Sequence, residues 1–213
     1  MISGIVALLP ALFAASPPPS SAPTPETAAL VARLARPPPA DTAYREVRFV
    51  SVLKAPLVLD GTLHYGGKDE LGKNIDKPYV ETTAISAGKV EVRRSGKPAQ
   101  RFSLERAPEL QALLAAFSAL LGGDAATLAQ FYRIDAQQVG ERFALTLTPQ
   151  RADLAKHLAE VVVDGSGAEP RCFAFRQTDG DASVMLLGAL ATTPLPAPLT
   201  APALAALCRS AAP

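Results

Sequence analysis

The sequence predicts a mainly β protein of the α+β class, a large curved antiparallel sheet covered by a few amphipathic helices. Three observations carry this. Apolar and polar residues alternate with a period of two through most segments between Val47 and Leu187. The turns between those segments are short and polar, which joins antiparallel neighbours and leaves no room for βαβ crossovers. One strongly apolar helical stretch, residues 108–121, interrupts the strands. With 213 residues the chain is long enough for a single domain with a sizeable core.

The first fifteen residues, MISGIVALLPALFAA, have the length of a secretory apolar region and are too short to span a bilayer. Residues 1–22 are therefore expected to be a signal peptide, with small residues for cleavage at Ala14-Ala15-Ser16 and Ser20-Ser21-Ala22. The segment departs from the usual pattern in having no Lys or Arg before the apolar run. No cysteine lies near either cleavage position, so no lipid anchor is expected and the mature chain should be soluble. Residues 23–43 read as a linker and a short helix, with Leu30, Val31 and Leu34 at helical spacing behind Pro25.

From Tyr44 the period becomes two. Val47 and Phe49 open the pattern, and in LVLDGTLHY the residues Leu57, Leu59, Leu63 and Tyr65 face one way while Val58, Asp60, Thr62 and His64 face the other. Further strands are predicted in YVETTAISA, KVEVRRSG and QRFSLER, the last with Phe102 and Leu104 on one side. Pro108 suits the first turn of the helix that follows, Gly122 and Gly123 suit its end, and Leu110, Leu113, Leu114, Phe117, Leu120 and Leu121 form its apolar face. Asp124 can cap a second helix, residues 125–134. Strands resume in RFALTLTP, where Phe143, Leu145 and Leu147 alternate, then in AEVVVDG, PRCFAFRQT and ASVMLLGAL. Asp179-Gly180 marks a hairpin between the last two. Residues 194–213 form a Pro/Ala-rich tail with a final helical stretch. The sum is a sheet of about eight to ten strands, and a sheet of that size curls and tends to enclose a cavity under its helices.

Composition excludes several functions. Lys and Arg number 21 against 20 Asp and Glu, so no basic surface for nucleic acid is implied. The segment GGKDELGKN contains Gly67-x-x-x-x-Gly72-Lys73, close to a phosphate-binding loop, but Asn74 stands where a Ser or Thr would hold magnesium. Pro78 and a further extended stretch replace the helix that a nucleotide site needs, so the segment reads as a polar loop between strands and no nucleotide is expected. His64 and His157 could each serve as a base in a lipid ester hydrolase, yet no Gly-x-Ser-x-Gly elbow or His-Glu-x-x-His site accompanies them. Two distant cysteines and two histidines make no zinc cluster, and the Asp179/Asp181 pair reads as a hairpin tip, so no metal and no cofactor are expected. Cys172 and Cys208 would pair in an oxidising compartment, contributing about 3 to 4 kcal/mol, or remain two buried thiols in a reducing one.

The stretch Gly61 to Val92 resembles the periplasmic lipoprotein carriers of the LolA type. The residues that carry the likeness are Gly61-Thr62-Leu63 in a strand, Leu71 closing a loop, Pro78 in a turn and Gly88-Lys89 before the next strand. The same order of elements extends over roughly residues 26–190. The helices at 108–134 and the two cysteines are similar to a divergent LolA-related branch. The resemblance implies an unclosed β-barrel over residues 44–193, with a helical lid over a hydrophobic cavity that shields acyl chains in transit to the outer membrane. Principal carriers have an arginine associated with ligand handover in the loop after the Gly-x-Leu strand, and the resemblance implies that Lys68, the cation in that stretch here, would stand in for it, although it lacks the planar fork of an arginine.

The function expected is thus a monomeric, non-enzymatic periplasmic carrier of a lipidated protein or another apolar lipid-like ligand, working between an inner-membrane donor and an outer-membrane acceptor. The expected cavity wall comprises Leu57, Leu59, Leu63, Tyr65, Phe102 and Leu104, with Phe143, Leu145 and Leu147 from the later strands. Leu113, Leu114, Phe117 and Leu120 are expected from the lid. Each of these is first of all a core residue type. The competing readings are an envelope interaction module with a fully packed core and the lipid ester hydrolase.

Overall fold

The computed structural model describes residues 22–210, so almost all of the expected signal peptide, residues 1–21, lies outside the described residues. The first helix, α1 (Pro25–Arg33), starts where Thr24 accepts a hydrogen bond from the Thr27 backbone N–H at 3.2 Å and proline occupies the first turn. It buries Leu30 and Val31, with Leu34 just beyond.

Six strands follow as a meander: β1 (Ala40–Phe49), β2 (Leu57–Gly67), β3 (Glu70–Lys77), β4 (Glu81–Ser86), β5 (Lys89–Arg94) and β6 (Gln100–Ser103). A 3-10 turn at Leu104–Arg106 leads into α2 (Pro108–Leu121) and the short α3 (Ala125–Leu128), capped by Asp124 as its position predicts. The second meander is β7 (Tyr132–Val139), β8 (Arg142–Pro149), β9 (Leu158–Ser166), β10 (Glu169–Gln177) and β11 (Ala182–Leu187), with α3 before it and α4 (Ala152–Ala155) between β8 and β9. The chain ends in α5 (Ala201–Arg209).

All eleven strands form one antiparallel sheet in the order β6-β5-β4-β3-β2-β1-β11-β10-β9-β8-β7. The two meanders join at its centre, where β1 pairs with β11 from Tyr44–Leu187 to Phe49–Ala182. The sheet curves without closing, and β6 and β7 are its free edges. The chain between those edges is the segment that holds α2 and α3. A connection from one edge to the other must cross the open side of the curl, so topology alone lays α2 over the sheet's inner face.

Cross-strand register sorts the two faces. Leu59, Glu46, Met185, Phe173, Val163 and Leu145 are successive partners across the inner face. They join Leu30 and Val31 of α1, Leu34 just after it, and Ala112, Ala116 and Leu120 of α2 around one core, with Glu46 the polar exception in its row. On the outer face Val47, Val184 and Leu186 pack beneath Leu204 and Cys208 of α5.

Three expectations are corrected. The polar loop expected around Gly72-Lys73 is mostly strand: β2 and β3 are joined by the turn at Lys68-Asp69, and Leu71, Lys73 and Ile75 lie in register with Tyr65, Leu63 and Gly61. The helix expected over residues 125–134 stops at Leu128, and Tyr132 begins an edge strand whose residues from Asp135 onward are exposed and so carry no apolar alternation. Leu104 lies in the 3-10 turn and not in a strand. These changes raise the strand count above the range expected.

Candidate functional site

The inner face and α2 do not meet everywhere. Between them lies a cavity of about 740 Å³. Helical spacing sorts α2 into two stripes: Ala112, Ala116, Ala119 and Leu120 are buried in the core, while Leu113, Leu114, Phe117 and Leu121 line the cavity. The sheet contributes Leu63 and Tyr65 from β2, Leu71 from β3 and Ile85 from β4. The opposite wall is Phe173 and Phe175 of β10 with Met185 and Leu187 of β11. Phe117 closes on this wall, its ring edge-to-face with that of Phe173 at 5.4 Å and tilted by 33° against that of Phe175 at 5.8 Å.

Of the wall residues expected from the sequence, the structure brings Leu63, Tyr65, Leu113, Leu114 and Phe117 to this cavity. Leu59, Leu120, Phe143, Leu145 and Leu147 are buried in the adjoining core, and Leu57 packs against it. Phe102 is half-buried opposite Val90 near the β6 edge, and Leu104 is buried in the turn after it. Sequence reasoning missed Phe173, Phe175, Met185 and Leu187. Their apolar runs CFAF and MLL identified the strands, but only the pairing of β11 with β1, and of β10 with β11, turns these residues toward α2.

A second cavity of about 540 Å³ adjoins the first, and Lys73, Leu113, Phe175 and Met185 line both. Its walls are more polar, with Glu46, Arg48 and His157 among them. Glu46, 4% exposed, accepts two hydrogen bonds from the Arg48 guanidinium at 2.9 and 3.0 Å and one from the Lys73 ammonium at 2.6 Å. Burial pushes the Glu46 carboxyl up, but the hydrogen bonds and charges of Arg48 and Lys73 outweigh it and hold the group below the usual glutamate range. Burial pushes Lys73 below the usual lysine range, and Glu46 offsets this only in part. The Lys73 ammonium stands 5.0 Å from the centre of the Tyr44 ring. Burial also raises the Tyr44 phenol, whose hydroxyl has no hydrogen-bond partner among the described residues.

At the rim of the larger cavity Arg36 grips the Glu169 carboxylate with both arms of its guanidinium, one at 2.8 Å, and holds that carboxyl below its ordinary range. The Arg36 backbone N–H donates to the last carbonyl of α2, on Leu121, at 2.7 Å. His64 pairs through Nδ1 with Asp41 at 2.8 Å on the same rim, and His157 lines the second cavity. Lys68 is exposed in the β2–β3 turn, and the lysine that faces the cavities is Lys73. Cys172 and Cys208 form a disulfide with Cα atoms 5.8 Å apart, on the outer face of the sheet. Among the described residues no group of three or more His, Cys, Asp or Glu is placed to hold a metal, and no helix is long and apolar enough to cross a membrane.

Solved structures similar to this chain include a LolA superfamily protein from Nitrosomonas europaea. It is 13% identical, over 84% of this chain and 98% of its own, with a TM-score of 0.42. A DUF1329 family protein from Desulfovibrio piger is 12% identical over 86% of this chain and 99% of its own, with a TM-score of 0.41. LprF from Mycobacterium bovis is 12% identical over 84% of this chain and 100% of its own, with a TM-score of 0.34. No curated protein matches the sequence. Residues 20–211 match the family described as outer membrane lipoprotein carrier protein LolA-like, which takes in the whole sheet, α2 and α5, and the chain belongs to that family.

Proposed function

We propose that this protein is a soluble periplasmic carrier that takes the acyl chain of a lipidated protein, or another long-chain apolar ligand, into the cavity beneath α2 and moves it toward the outer membrane. The observation that carries the reading is the cavity of about 740 Å³ with aliphatic and phenyl walls, a size within the range of roughly 300–1,000 Å³ found for ligand sites. Membership of the LolA-like family supports it. Leu63, Tyr65, Leu113, Leu114 and Phe117 would touch the ligand, and the core leucines behind them would fix the wall.

Burial of the chain is the mechanism, and no bond is made or broken. Each buried methylene contributes about 0.8 kcal/mol, so a long acyl chain is retained in water. A bilayer, a donor or an acceptor protein offers comparable burial, which lets the ligand pass on without an energy source. A monomer suffices for this, since one chain supplies both sheet and lid. Export through the N-terminal segment would place the protein where the disulfide can form.

The test is to express the chain with its own N-terminal segment, purify it from the periplasm without detergent, and identify by mass spectrometry what organic solvent extracts. A stoichiometric lipid or other long-chain molecule is the expected result. An empty protein that also fails to bind added apolar ligand would make the chain an interaction module of the envelope. Ester hydrolysis lost on His64→Ala or His157→Ala would make it a hydrolase.

A further inference from the structure

We propose that the ligand carries an anionic head, a carboxylate or a phosphate, that docks on Lys73 while its chain lies beneath α2. The inference rests on the carrier reading above and names the class of cargo.

The inner face of the sheet is apolar along its central row except at Glu46, where Arg48 and Lys73 gather. The charges of this group do not balance: one carboxylate faces two cations. Arg48 has the better geometry, a two-armed grip on both Glu46 oxygens. Lys73 shares an oxygen already engaged by Arg48, so it is the surplus cation. Two other acids near the group have cations of their own, Glu81 with Arg94 at 3.5 Å and Asp153 with Arg151 at 2.6 Å, and Asp76, the next acid along β3, is exposed.

The surplus cation also stands where a ligand would meet it. Lys73 lines both cavities, at the junction of the apolar chamber with the more polar one. The Tyr44 ring covers one side of the ammonium and Glu46 takes one of its three donors. Burial that lowers the lysine without full compensation leaves a site that a second anion stabilises. An amphiphile fits this division, its head at Lys73 and its tail against Leu63, Phe117 and Phe173.

The test uses the full protein, stripped of lipid, and four probes with one hexadecyl-length chain: the fatty acid, its methyl ester, the alkyl phosphate and the alkyl trimethylammonium. Dissociation constants are read by displacement of a fluorescent apolar probe. A hydrogen bond to a charged group predicts that the acid or the phosphate binds on the order of tenfold tighter than the ester, with the trimethylammonium weakest. Whichever anion binds tighter identifies the head. In Lys73→Met the anion-to-ester ratio should fall to within about twofold, with Lys73→Gln in its place if circular dichroism shows that the first variant does not fold. Acid, phosphate and ester bound equally by the wild type would overturn the head-group inference and leave the carrier reading standing. A preference that survives in the folded Lys73 variant would overturn the assignment to Lys73. No binding of any probe would overturn both readings.

Discussion

Glu46 is a costly residue to keep in the middle of an apolar row, and its two cations are what make it tolerable. Replacing it by Gln leaves Arg48 and Lys73 facing each other without their anion. Removing one partner of a buried pair costs about 3–5 kcal/mol, and we expect about 2 kcal/mol here because Arg48 and Lys73 keep 36% and 27% of their side chains exposed. Thermal unfolding should record a drop of about 5 °C. The pH dependence has a definite sign. Because the folded Glu46 titrates below its unfolded value, its contribution is complete above the unfolded glutamate pKa of about 4.3 and is lost as pH falls through the folded one. Glu46→Gln should therefore lose less stability than the wild type between neutral pH and the acid side of that window, and parallel curves would contradict it. Gly61 is constrained by space alone. A Cβ there would lie 1.8 Å from the Asn74 carbonyl oxygen in β3 and 3.0 Å from the Tyr44 ring. Gly61→Ala should cost about 2 kcal/mol or more, since backbone must move to admit one methyl, and a urea midpoint like that of the wild type would show that β2 and β3 separate easily.

Among the helices, α2 supplies side chains to both the core and the cavity wall. Its alanines Ala112, Ala116 and Ala119 are buried in the core, and its longer side chains Leu113, Leu114, Phe117 and Leu121 line the cavity. Phe117 is the point of contact with the far wall, through Phe173 and Phe175. Phe117→Glu puts a charge into that contact and should abolish retention of an apolar ligand while circular dichroism still reports the sheet. Undiminished retention would mean that α2 does not cover the ligand. The strand β3 answers the question raised by Gly72-Lys73-Asn74. The segment looks like a nucleotide loop because glycine and lysine hide the period of two, yet Leu71 and Ile75 keep it, and Lys73 falls on the inner face between them. The edge strand β7 was illegible for the opposite reason, since water on most of its residues imposes no pattern.

At the scale of the whole molecule, the disulfide ties the last helix to the outer face, across a sequence separation of 36 residues. In the chain-entropy view a loop of that size contributes about 4 kcal/mol. Cys208→Ser should lower the urea midpoint accordingly and expose residues after Thr193 to protease, without loss of ligand uptake, because α5 and the cavity lie on opposite faces. Unchanged stability would mean that Leu204 and its neighbours hold α5 alone. The sequence by itself determined the class of fold, most strands, the capped helices and the apolar face of α2, because these follow from local periodicity and turn chemistry. It also supplied five residues of the cavity wall and the likeness to LolA-type carriers. Only the tertiary structure decided that β1 pairs with β11, that Phe173 and Met185 therefore face α2, and that Leu145 is core while Leu113 is cavity wall. Periodicity fixes which residues share a face, but which face is turned inward, and where helix and sheet fail to touch, depends on contacts between residues far apart in the chain.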